Sequence, residues 1–95
     1  MPAIELAAAQ RSEHRAAAQR LRPVVLIGAE GLTPAVLHEA DQALNAHGLI
    51  KVRVFSDERE ARAQALTQLS ETLNAAAVQH IGKLLVLWRP IPEAA

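Results

Sequence analysis

The sequence predicts an α/β fold, a single compact domain of order α-β-α-β-α-β-β. Three observations carry this. Apolar runs of strand length at residues 24–27, 49–55, 75–81 and 84–88 alternate with longer segments of helical composition or spacing. Each of the first two runs is followed by a helical segment, the arrangement of a parallel crossover. Gly82-Lys83 alone separates the last two runs, a hairpin spacing whose turn wants glycine first. Two βαβ crossovers and one hairpin imply a mixed four-stranded sheet with packed helices. No internal repeat or linker divides the 95 residues, which fall into an N-terminal helix and lead-in (1–22), a core (23–90) and a tail (91–95).

Residues 4–20 are alanine-rich with interspersed Gln, Arg and Glu, strong helix formers with only a weak apolar stripe, so this helix is expected to pack loosely. Pro23 ends the segment by disfavouring helical geometry at Arg22. The run VVLI at 24–27 has the continuous apolar character of a strand covered on both faces and is expected to be central. Thr33 then suits an N-cap and Pro34 the first helical position, where its missing N–H costs nothing. Val36, Leu37, Ala40, Ala43 and Leu44 follow three-four spacing, and His47-Gly48 closes this helix.

In LIKVRVF at 49–55, Ile50, Val52 and Val54 point one way while Lys51 and Arg53 point the other. Asp57 with Glu60 resembles a capping box opening a helix over about 58–74, whose apolar face is Ala61, Ala65, Leu66, Leu69 and Leu73. Residues 75–81 and LLVLW at 84–88 form the hairpin, and Pro90 and Pro92 end the ordered chain.

Composition narrows the function classes. With 51% hydrophobic and 21% charged residues the chain is ordinary globular protein. At this size folding buries roughly 60 to 65% of the unfolded surface, which favours a binding surface over a deep enzyme pocket. The absence of cysteine excludes disulfides, thiolate zinc sites and a cysteine nucleophile, and fits a reducing compartment. No apolar run nears the roughly 20 residues of a membrane span, and the N-terminus lacks a basic n-region, so a soluble, cytoplasmic protein without membrane association is expected. Ten Lys and Arg balance ten Asp and Glu, but unevenly. Arg11, Arg15, Arg20 and Arg22 precede the first strand, whereas residues 30–48 contain no Lys or Arg, predicting a basic and an acidic side.

The loop Gly28-Ala29-Glu30-Gly31 between strand and helix is the first candidate site. Its glycines allow positive φ and let a phosphate backbone approach main-chain N–H groups, while the helix start downstream adds donors and a dipole suited to an anion. Taken alone, GxxG is a tight turn. The third glycine of a dinucleotide fingerprint and the GK[ST] of a P-loop are both missing, which leaves a sugar-phosphate clamp of the KH-like kind. Lys51, Arg53, Arg20 and Arg22 offer a surrounding phosphate-contacting surface. Phe55 and Trp88, the only Phe and Trp, read as core or core-edge residues, which argues against a stacking single-strand reader. Enzymatic readings find no support. His38-Glu39 begins HExxH, but Gln42 stands at the second histidine, no triad assembles from His14, His47 and His80, and Ser12, Ser56 and Ser70 lack a nucleophile elbow. His80 reads as half-buried or surface.

The segments RLRPVVLIGAEGLTPAVLHEADQALNAHGLIKVRV (20–54) and VQHIGKLLVLWRP (78–90) together resemble the CRM (chloroplast RNA splicing and ribosome maturation) domain, most closely the free-standing bacterial YhbY type. The likeness rests on LRPVVLIG, GxxG followed by LT, the LIKV strand and VQxIGxxLVLxRP in order. It implies a fold related to the C-terminal domain of translation initiation factor three. It also implies non-catalytic binding of ribosomal RNA in large (50S) subunit precursors during ribosome assembly, without cofactor, metal or small-molecule substrate, by a monomer. By resemblance the RNA-contacting loop falls on Gly28, Ala29, Glu30 and Gly31 and the basic strand on Lys51 and Arg53, with Arg20, Arg22, Lys83 and Arg89 at further basic positions. The chain departs from the family in its neutral charge and in Glu30, which is expected to point away from the RNA. The alternative is a protein-interaction module on ribosome precursors that uses the acidic helix 34–47.

Overall fold

Seven elements follow one another in the expected order in the computed structural model, which describes residues 4–92. They are α1 (Ala8–Ala18), β1 (Val25–Ile27), α2 (Pro34–His47), β2 (Leu49–Val54), α3 (Arg59–Thr72), β3 (Ala76–Ile81) and β4 (Leu84–Trp88). Part of the expected tail, residues 93–95, lies outside the described residues.

The strands form one mixed sheet of order β1-β2-β4-β3. β1 pairs parallel with β2, and β4 runs antiparallel to both β2 and β3. The β1-α2-β2 unit is thus a direct parallel crossover. The β2-α3-β3 unit is a split one, because β4 enters between the two strands that α3 connects. The hairpin from β3 into β4 turns at Gly82, whose φ of +54° is paid by no side chain.

The main core lies on the face covered by α2 and α3. Val25 and Ile27, Ile50, Val52 and Val54, and Leu85 and Leu87 point into it and meet Ala40 and Leu44 of α2 and Ala65 and Leu69 of α3. The alternation read in LIKVRV is realised here, with Ile50, Val52 and Val54 buried. α2 has the caps the sequence announced: Thr33 Oγ1 accepts from Val36 N at 3.2 Å, Pro34 stands in the first turn and Gly48 adopts φ +74° at the C-terminal end.

The opposite face is covered by α1, which buries only Ala18 within the helix. Ala18, Val78 and Val86 form a small second cluster with Leu6, Leu21, Leu49 and Trp88 around it. Two contacts supplement this thin packing. Arg11 Nη1 donates to the carbonyls of Ala77 and Val78, beside the bulge between Ala77 and Gln79 in edge strand β3, and the His14 ring stacks on Trp88 at 4.7 Å. Trp88 is accordingly a core-edge residue.

Two expectations are corrected. β1 is an edge strand, not a central one, and Leu26 remains 54% exposed because α1 packs on β2, β3 and β4 and leaves β1 bare on this face. Four consecutive apolar residues therefore did not mean two covered faces. The capping box is also absent: Glu58 is the N-cap of α3 and makes no side-chain cap bond. Asp57 instead bonds Lys83 Nζ at 2.9 Å, since the hairpin turn carries Lys83 alongside it. The segment entering α3 is held by Arg62, which donates to the Ser56 carbonyl at 2.8 Å.

Candidate nucleic-acid interface

β1 ends at Ile27, whose carbonyl still accepts from Phe55 N at 2.9 Å, and the chain then turns through the GxxG loop. Gly31 N donates to Gly28 O at 3.1 Å and Thr33 N to Gly31 O at 3.0 Å, which brings Thr33 into its capping position. The two glycines differ in what they answer to. Gly31 has φ +74°, a conformation that disfavours a side chain. Gly28 lies outside the left-handed region, and a Cβ placed on it would meet nothing within 4 Å. Neither backbone geometry nor internal packing requires glycine at 28.

Among the described residues the N–H groups of Ala29, Glu30 and Leu32 have no hydrogen-bond partner in the protein, and they stand beside the head of α2. Free donors at a helix start form a concavity suited to an anionic oxygen. The Glu30 side chain is exposed and does not border the cleft beside the loop.

That cleft encloses about 550 Å³ outside the C-terminal ends of parallel strands β1 and β2, where ligands of α/β sheets commonly sit. Ile27, Leu32, Val54 and Ala65 give it an apolar floor, and Phe55, Gln64 and Gln68 also line it. Among the described residues no Lys, Arg or His borders it, and its charged lining residues are Asp57 and Glu58.

The cations lie just outside. Arg53 is the register partner of Leu26, so Lys51 and Arg53 share the face on which Leu26 is exposed, about 7 Å apart as alternate strand residues. Arg20 and Arg22 border a second depression of about 380 Å³ together with Lys51. A basic stripe thus runs from the end of α1 along β2 toward the GxxG loop. The Arg53 guanidinium lies over the Phe55 ring, 5.1 Å from its centre.

Two sequence candidates stand apart from this stripe. Lys83 is engaged by Asp57, and its hydrogen bond and positive charge hold the Asp57 carboxyl below the usual carboxylate range. The Arg89 side chain is only 14% exposed and donates to Asp41 Oδ1, Asn45 Oδ1 and the carbonyls of Asp41 and Leu73. Its bonds serve the fold. His80 is half-buried between Arg62 and the Gly82 carbonyl.

Phe55 is the residue that sequence reasoning misplaced. It is 52% exposed, not core. The signal was present in the alternation, because Phe55 has the parity of Lys51 and Arg53 rather than that of Val52 and Val54.

Among the described residues no helix is long and apolar enough to cross a membrane, and no three His, Asp or Glu side chains are grouped to hold a metal ion.

Comparison with known proteins agrees with this architecture. The family model described as CRS1 / YhbY (CRM) domain matches residues 6–89. A Haemophilus influenzae protein named "RNA-binding protein" is 43% identical over 89 residues, covering 94% of this chain and 90% of its own. A Pseudomonas aeruginosa protein named "Probable RNA-binding protein" is 36% identical over 84 residues, covering 88% and 81%. The solution structure of a hypothetical Staphylococcus aureus protein superposes with a TM-score of 0.84 at 27% identity, covering 96% of this chain and 95% of its own.

Proposed function

Because the chain belongs to the CRS1 / YhbY (CRM) domain family, we propose that it is a non-catalytic RNA-binding protein that grips the phosphate backbone of structured RNA. Its proposed target is ribosomal RNA in large (50S) subunit precursors, bound by a monomer in the cytoplasm. The observation that carries the reading is the loop itself: free N–H groups at Ala29, Glu30 and Leu32, beside a glycine at 28 that the fold does not need. A missing side chain with no internal reason is what close approach by an outside backbone requires. Lys51, Arg53, Arg20 and Arg22 supply the surrounding field, which positions RNA without reading its sequence. The names of the relatives support RNA as the partner.

The competing reading, a protein-interaction module using helix 34–47, loses ground on a specific contact. Asp41 is occupied by Arg89 at 2.8 Å, which leaves Glu39 as the α2 acid with no ion-pair partner among the described residues.

The test is a titration of purified protein with fragments of large-subunit and small-subunit ribosomal RNA across a salt series. Preferential binding to large-subunit fragments, weakening steeply with salt, is the expected result. Co-migration with precursor particles without affinity for either RNA would favour the protein-interaction reading.

A further inference from the structure

The cleft beside the GxxG loop has a chemistry different from that of the loop. A phosphate grip wants donors and cations: Ala29 and Leu32, whose N–H groups are free, stand at the loop edge of the cleft, and Arg53 and Lys51 lie outside its lining. Among the described residues the cleft has an apolar floor of Ile27, Leu32, Val54 and Ala65, two carboxylates at Asp57 and Glu58, the first of them paired with Lys83, and no cation in its lining. Its volume of about 550 Å³ lies within the range of sites that hold small organic groups, roughly 300 to 1,000 Å³. A neutral group that carries hydrogen-bond donors fits such a lining, whereas a phosphate would lose its hydration there, gain no counter-charge and meet two carboxylates.

Two further features define the shape and edge chemistry of that group. Phe55 borders the cleft just past the end of β2, where either sheet face can be reached, and the Arg53 guanidinium lies over its half-exposed ring at 5.1 Å, so an aromatic ring with a cation on one face stands at the cleft's edge. A half-exposed aromatic ring paired with an arginine is a stacking platform for another flat π-system. Gln64 and Gln68, one turn apart on α3 and both exposed, place two primary amides along the lining. Each amide carries both a donor and an acceptor, the pairing that a base edge complements. Ala61 and Ala65 on the same helix keep the space between them open.

We propose that this cleft takes a single unpaired nucleobase of the bound RNA, stacked on Phe55 and met at its edge by Gln64 and Gln68, while the neighbouring phosphate lies against the GxxG N–H groups. The inference rests on the RNA-binding reading and adds to it a preference for a bulged or looped-out nucleotide. It also gives the short distance between loop and cleft a purpose, since one nucleotide presents its charge to the donors and its neutral base to the apolar floor.

The test uses two hairpin RNA pools with random stem sequences, identical except that one carries a single bulged 2-aminopurine and the other is fully paired. Affinity is read by anisotropy and stacking by 2-aminopurine fluorescence. The bulged pool should bind about tenfold more tightly, with its fluorescence quenched on binding. Phe55→Ala should abolish both the preference and the quenching, with the bulged pool losing about tenfold more affinity than the paired pool, and Phe55→Tyr should retain both. Gln68→Ala, an exposed helix position, provides an independent variant that should narrow the preference. Equal affinity for the two pools without quenching, or equal weakening of both by Phe55→Ala, overturns the base cleft and leaves RNA binding standing. Failure of both pools to bind at low salt overturns the RNA reading and this inference with it.

Discussion

Arg89 donates through Nη2 to Asp41 Oδ1 at 2.8 Å, joining the residue after β4 to the middle of α2. The same guanidinium reaches the Leu73 carbonyl at the end of α3 at 2.6 Å and Asn45 Oδ1 at 2.8 Å. One side chain thereby closes the C-terminal turn of α3 onto α2. Truncation would leave a partly buried carbonyl and a carboxylate without their donor, at about 1–3 kcal/mol for such groups. Arg89→Ala should lower the urea midpoint by an amount equivalent to about 2 kcal/mol, and Arg89→Lys should recover only part, because an ammonium cannot serve several diverging acceptors as the planar fork does. RNA affinity of the folded variant should match the parent.

The two loop glycines should separate stability from binding. Gly31→Ala forces a side chain into φ +74° and should cost about 1 kcal/mol in denaturant unfolding. Gly28→Ala enters open space at ordinary φ and should leave stability within about 0.5 kcal/mol. In RNA titrations the order should reverse, with Gly28→Ala the variant that loses affinity. A Gly28→Ala protein with undiminished affinity would remove the loop backbone from the contact.

Lys51 and Arg53 are expected to meet phosphates. Replacing both with alanine should weaken RNA binding and reduce the slope of log K against log salt by roughly 1.5 to 2, the equivalent of two lost phosphate contacts. Circular dichroism should be unchanged, because both side chains leave the sheet on the side away from the main core. An unaltered slope would place the RNA elsewhere.

Glu30 is exposed beside the free donors but outside the cleft. If the backbone makes the contact and this carboxylate faces solvent, Glu30→Lys should change RNA affinity by less than about threefold at a salt concentration where charges a Debye length apart are screened. A tenfold gain would show that the acid opposes binding from within the contact.

The Asp57–Lys83 pair gives a pH signature. Its folded carboxyl titrates below the usual value, mainly through the hydrogen bond and charge of Lys83. A depressed folded pKa means that the pair favours the native state above the unfolded-state value and that this contribution fades as the pH falls through the folded value. Following the Asp57 carboxyl by NMR, Lys83→Ala should raise its midpoint toward that of an ordinary aspartate. High salt should do the same, since the carboxylate is almost fully exposed.

Elements defined by neighbouring residues were legible in the sequence. Thr33-Pro34 and His47-Gly48 mark α2 to the residue, Gly82-Lys83 marks the hairpin, and the alternation in β2 names its buried face. What depends on distant pairing was not. Nothing local to VVLI says that β1 lies at an edge, and nothing near Asp57 announces that Lys83, across the sheet, will claim its carboxylate instead of the α3 cap. The candidate site divides in the same way. The GxxG loop and the basic strand are contiguous in sequence and were found there, whereas the cleft arises only where β1, β2 and α3 converge. Arg89 shows the opposite limit: the family resemblance put it among the RNA-contacting cations, and only the acceptors that Asp41, Asn45 and Leu73 bring together, far from it in sequence, turn it inward.

The insertion of β4 between β2 and β3 orders events during synthesis. Until residues 84–88 have been made, the strands on either side of that gap have no partner across it, and Leu85 and Leu87 are missing from the centre of the main core. A nascent chain that has reached Ile81 holds only the β1–β2 pair and helices with uncovered apolar faces. Cooperative folding is therefore expected only once Trp88 is outside the exit tunnel. A ribosome-tethered chain that has emerged from the tunnel only as far as Gly82 should be protease-sensitive, and emergence of residues 83–88, carried out by a C-terminal extension, should convert it to the folded domain in one step.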